Sequence, residues 1–84
     1  MPIYRFEFQE EKHTDTVRDV ELVDDVAAMR EADQTAFELL EEGVRLGLDR
    51  SHWQIQVFDE EDKLVSAVTL ADALKQRQIE LPKE

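Results

Sequence analysis

An α+β domain is predicted, with a four-stranded antiparallel sheet, one long helix on one face and the order ββαββα. Three observations carry this. Apolar residues alternate with period two over 3–9 and again over 52–58. Between them the period changes to 3.6 over 26–44. The strand-like runs also come in two close pairs, each separated by a short polar stretch that suits a hairpin.

In residues 3–9, Tyr4, Phe6 and Phe8 point one way and Arg5, Glu7 and Gln9 the other, as in a half-buried strand. Pro2 precedes it, where a missing N–H costs nothing. Residues 10–15 are polar and read as a turn. A weaker strand follows over 16–22, with Val20 and Leu22 toward the core. On the helix, Ala28, Met29, Ala32, Ala36, Leu39, Leu40 and Gly43 share one face, edged by Val26, Phe37 and Val44. Arg30, Glu31, Gln34, Glu38, Glu41, Glu42 and Arg45 share the other. Asp24 or Asp25 is placed to cap the N-terminus, and Gly43 and Gly47 offer stopping points.

In the third strand, 52–58, Trp53, Ile55 and Val57 form the apolar face. Asp59, Glu60, Glu61 and Asp62 make an acidic turn. A fourth strand over 63–69 directs Leu64, Val68 and Leu70 inward. Thr69 and Asp72 resemble a capping box opening a short helix over 70–78, which buries Ala73 and Leu74. Residues 1–78 thus form a single domain, and 79–84 a loose tail. Strand order does not follow from the pattern.

Composition narrows the function. The chain has 84 residues, 42% of them apolar, enough for a core despite 37% charged residues. Twenty-one acidic residues face ten basic ones, a formal net charge of -11. A nucleic-acid partner is not expected, because phosphate binding needs a basic face, and anionic membranes repel such a chain. There is no cysteine, hence no disulfide, thiolate nucleophile or Cys-ligated metal. With no signal peptide and no apolar span of about 20 residues, the expected location is the cytoplasm.

No cofactor or metal site is expected. Ser51 and His52 are adjacent, but neighbouring strand residues point to opposite faces and do not form a triad. His13 lies in a polar turn. The contiguous acids 59–62 lack the alternating ligands and glycine of a calcium loop. Two glycines cannot build a phosphate cradle. Asp33 stands out because it lies within the apolar helix face between Met29 and Phe37; a basic residue such as Arg5 could pair with it. Phe37 and Phe58 are apolar groups beyond what one helix covers. Asp33, Phe37 and Phe58 are therefore the candidate interaction residues.

The run Met1-Pro2-x-Tyr4-x-Phe6 is followed by Asp19-x-Glu21-Leu22-x-Asp24, then Ala27, Ala28, Glu31 and Ala32. Next come Trp53-x-Ile55-x-Val57-x-Asp59-Glu60 and Val68, Leu70 and Ala73. This pattern resembles a family of short uncharacterised bacterial domains of unknown function from rhizobia-like alphaproteobacteria. Members usually carry glycine in the first hairpin and before the fourth strand, where this chain has Val20 or a neighbour and Asp62. The resemblance implies no activity and transfers no functional residue.

The expected function is protein–protein contact without catalysis, as a homo-oligomer or with another protein. Alternatives are an acidic decoy that imitates nucleic-acid phosphates and inhibits a basic protein, and an enzyme of unrecognised type.

Overall fold

The computed structural model describes residues 1–73 and 75. Its elements are β1 (Ile3–Gln9), β2 (Thr14–Glu21), α1 (Asp25–Arg45), β3 (Gln54–Phe58) and β4 (Leu64–Thr69). Residues 70–73 and 75 are helical, so a second helix opens where the capping box predicts it. There the Asp72 amide donates to Thr69 Oγ1 at 3.0 Å. The expected burial of Leu74 and the tail over 79–84 lie outside the described residues.

The four strands form one sheet in the order β2-β1-β3-β4, with every neighbouring pair antiparallel. β1 and β3 take the centre, where both ladders of hydrogen bonds are satisfied. β2 and β3 consequently run in the same direction on either side of β1, and α1 is the crossover between them.

The helix begins as its sequence dictates. Asp24 is the N-cap, and its carboxylate accepts from the Ala27 amide at 2.9 Å. At the other end Gly47 takes φ 75°. The Gly47 amide donates to Val44 O at 3.0 Å and the Leu48 amide to Gly43 O at 2.7 Å, the two bonds of a Schellman motif. Along the seam, Ala28, Ala32, Ala36, Leu40 and Gly43 are buried. Small side chains let the helix approach the sheet closely. Met29, expected on that face, is 47% exposed, and Val26 and Val44 are exposed too. The alanine seam is narrow, and Met29 lies one helical step of about 100° from it.

Tyr4, Phe6, Ile55, Val57, Leu70 and Ala73 complete the core, with Phe8 and Trp53 packed half-buried at its margin. Leu64, expected inward, is 54% exposed. The cause is a bulge: Val57 pairs with Ser66 but Phe58 pairs with Leu64. The extra residue at Val65 reverses the alternation, placing Leu64 opposite Phe58. A second bulge interrupts β1–β2, where Tyr4 pairs with Val20 and Phe6 with Val17. Two aspartates adopt left-handed backbone, Asp19 at φ 60° within the β2 bulge and Asp62 at φ 66° before β4. These are the two regions where the resemblance places glycine.

Arg50 latches the helix end to β3. Its guanidinium lies 4.6 Å from the Trp53 ring centroid, donates to Leu39 O at 3.1 Å and pairs with Glu42 at 3.0 Å. Gly43 packs closely beneath it: a Cβ there would meet Arg50 Cδ at 2.8 Å, so the arginine would have to shift.

Candidate functional site

The sheet has two edges of different chemistry. β2 reads TDTVRDVE and carries Asp15, Arg18, Asp19 and Glu21, with the Asp19 bulge. These are devices that discourage pairing with another chain. β4 reads LVSAVT and carries no charge. Its regular part, Ser66–Thr69, pairs with β3 on one side, and among the described residues no strand pairs with its other side. Ala67 on that edge is exposed.

A groove of about 1120 Å³ runs beside this edge. Its lining includes Val26, Met29 and Asp33 from α1 and Ser66, Ala67 and Val68 from β4. Val26 and Met29, which periodicity assigns to the core side, are thus the apolar wall of a surface channel. The β4 edge also escapes the periodicity analysis. Its signal lies in composition: residues 64–71 are uncharged in a chain where 37% of residues are charged.

The three candidate residues do not form one site. Asp33 is half-buried and lines the groove. Phe37, one turn further along α1, packs half-buried against the core. Phe58 lies on the opposite face of the sheet, where the Arg5 guanidinium stacks 4.4 Å from its ring centroid. Arg5 does not serve Asp33. It pairs with Glu7 at 3.1 Å and with Asp62 across the sheet. That face is largely polar: Arg5, Glu7, Gln9, Gln54 and Gln56 lie there, and Gln9 donates to Gln56 at 2.7 Å.

A second, acidic hollow of about 470 Å³ is bounded by Tyr4, Asp24, Asp25, Asp59, Glu60 and Glu61. The Tyr4 hydroxyl donates to Asp25 at 2.7 Å. This bond, reinforced by burial and by the charges of Asp25, Asp24 and Asp59, pushes the phenol up to about 12. Such a tyrosine is held protonated and supplies no base at neutral pH. In the acidic turn, Asp59 Oδ1 accepts from the Glu61 and Lys63 amides, both at 2.9 Å. Asp59 and Asp62 are therefore committed to the turn and to Arg5, while Glu60 and Glu61 are exposed.

The hydroxyl and imidazole side chains are engaged separately. Asp49 accepts from the Ser51 amide at 3.0 Å. That bond, with a second from the Ser51 side chain, lowers the Asp49 carboxyl below its usual value. His52 lies 3.4 Å from Glu11. His13 lies 3.3 Å from Glu10 and 3.6 Å from Asp15, and the three offer ligand atoms within 4.8 Å of one another on the β1–β2 turn.

Among the described residues, no helix is long and apolar enough to cross a membrane. No curated protein and no solved structure matches the chain. Its kinship is instead established over the span from β1 to the start of the second helix: residues 3–71 match a domain-of-unknown-function family, DUF6894, and the chain belongs to that family.

Proposed function

We propose that this domain acts by protein–protein contact along the β4 edge and its adjoining groove, without catalysis or cofactor, in the cytoplasm. The observation that carries the reading is the contrast between edges. In a chain this heavily charged, one edge has charges and a bulge against pairing, while the other is an uncharged strand beside the exposed Val26 and Met29. Open backbone donors and acceptors with neighbouring apolar surface are the usual means of strand-addition recognition.

Affinity capture from a native lysate, with wild type beside Ala67→Lys, tests it. Ala67 is exposed, so the charge leaves the core intact while placing an ammonium on the pairing edge. Proteins retained by wild type and lost from the variant support the reading, the chain's own untagged copy included. Identical sets overturn it.

The second reading is an acidic decoy. It draws support from Glu31, Glu38, Glu41 and Glu42, all exposed along α1. Binding of a basic protein that weakens steeply with salt, and is lost when these glutamates become glutamine, would favour it.

A further inference from the structure

We infer that the partner of the β4 edge is the β4 edge of a second copy, joined antiparallel about a two-fold axis at Ala67. This rests on the contact reading above. It starts from where the charges sit along β4. The turn preceding the strand holds Asp59, Glu60, Glu61 and Asp62, and the stretch following it holds Asp72 and Lys75. Parallel pairing would set the acidic turns of the two copies side by side. Antiparallel pairing sends them to opposite ends of a six-residue strand, about 20 Å apart at roughly 3.4 Å per residue. That is more than twice the screening length of about 8 Å at physiological salt. It also sets against each acidic turn the other copy's mixed end, Asp72 and Lys75, in place of a second acidic turn. A closed two-fold pair results, the commonest form of self-association.

The register follows from parity. Residues directly opposite in an antiparallel ladder share a face. Ala67 pairs with Gln56 on the polar face and Val68 with Ile55 on the helix face, so Ala67 cannot oppose Val68. Centring on Ala67 sets Ser66 beside the other copy's Val68 under the helices, and Ala67 beside its own counterpart outside. The bulge at Val65 limits the regular ladder to Ser66–Thr69, and centring on Ala67 keeps most of this stretch paired. The two sheets become one, and each α1 flanks the shared seam with Met29 and Val26 turned toward it.

The chain has no cysteine, so Ala67→Cys reports on this register directly. Under mild oxidation, purified Ala67→Cys is expected to cross-link to a covalent dimer, because opposed strand residues approach within disulfide range. Val17→Cys, also exposed but on the other edge, is expected to remain largely monomeric. Sedimentation of wild type at high micromolar concentration is expected to show a dimer that strengthens from low to high salt, because screening relieves repulsion between chains of -11. Ala67→Lys should weaken that dimer at least tenfold. A wild type that stays monomeric at both salts overturns the inference, as does covalent dimer formation by Val17→Cys and not by Ala67→Cys. If the purified chain is monomeric yet Ala67→Lys still loses captured proteins, contact by β4 stands and self-pairing falls.

Discussion

The β1–β2 and β3–β4 hairpins share a plan and differ in fate. Each has a bulge and an aspartate in left-handed backbone. Yet α1 packs on β3 and β4, and β2 is left with only Val20 half-buried. α1 alone does not cover four strands. The uncovered outer strand carries charge, which suits water and discourages pairing. The covered outer strand β4 is uncharged, with one of its faces under the helix, and among the described residues no strand pairs with its outer edge. Covering a strand and protecting its edge are thus separate problems, and this fold solves both on neither side.

The largest test of this contrast compares truncations in the two halves. Leu40 is 6% exposed at the seam of α1 with the sheet. Leu40→Ala should cost about 2–5 kcal/mol, the loss of transfer energy plus a cavity. Val17, at 48% exposure on β2, should cost less than about 0.5 kcal/mol as alanine. Chemical denaturation of both decides it. Comparable losses would mean that β2 is buried in solution, by a partner on that edge.

A pH titration probes the junction of the halves, where β1 meets the helix start. Tyr4 has its folded pKa raised to about 12 from 10.0, chiefly by the hydrogen bond to Asp25. The protonated phenol is the form the fold favours. Its contribution is therefore complete below about pH 10 and is lost as pH rises toward 12. Tyr4→Phe should flatten this alkaline loss, measured as denaturation midpoint against pH. An unchanged slope would show that another group governs the alkaline limb.

How far these features are legible in the sequence depends on what local pattern can encode. β1 and the body of α1 are readable because their periods run unbroken, and the capping residues Asp24, Gly47 and Thr69 act through neighbouring amides. The bulges are not, because one inserted residue leaves composition unchanged while reversing the faces, as at Leu64. Strand order depends on pairing over long separations. Asp33, Phe37 and Phe58 are picked out one by one, and a linear reading does not show that the sheet separates Phe58 from the other two. Gly43 reads as a helix stop. Its role under Arg50 becomes visible only when the chain folds back through Trp53.

A smaller effect is expected at the β2 bulge. Left-handed backbone costs an ordinary residue roughly 1–2 kcal/mol, less for aspartate, and glycine almost nothing. Asp19 is exposed at φ 60°. Asp19→Gly should therefore stabilise the fold by no more than about 0.5 kcal/mol, read from its denaturation midpoint, because glycine's larger unfolded-state entropy offsets part of the relief. Asp62→Gly should gain less, since it also removes the partner of Arg5. Equal gains would show that the Arg5–Asp62 pair contributes nothing measurable.

The smallest effect separates the two hairpin turns by their response to calcium. The β3–β4 turn holds four contiguous acids, but its geometry opposes chelation. Asp59 Oδ1 already accepts from the Glu61 and Lys63 amides, and Asp62 is held by Arg5. A calcium ion seeks six to eight oxygens, and would have to break these bonds to gather them. A dissociation constant above about 10 mM then gives at most about 0.06 kcal/mol at about 1 mM calcium. For a domain of this size, that is a melting shift below about 0.5 °C. Thermal melts with and without calcium at that concentration measure it. A saturable rise of several degrees, abolished in Asp59→Asn with Asp62→Asn, would make the acidic turn an ion site. It would also change the self-pairing argument, because a bound cation would remove the charge that keeps the two turns at opposite ends of β4.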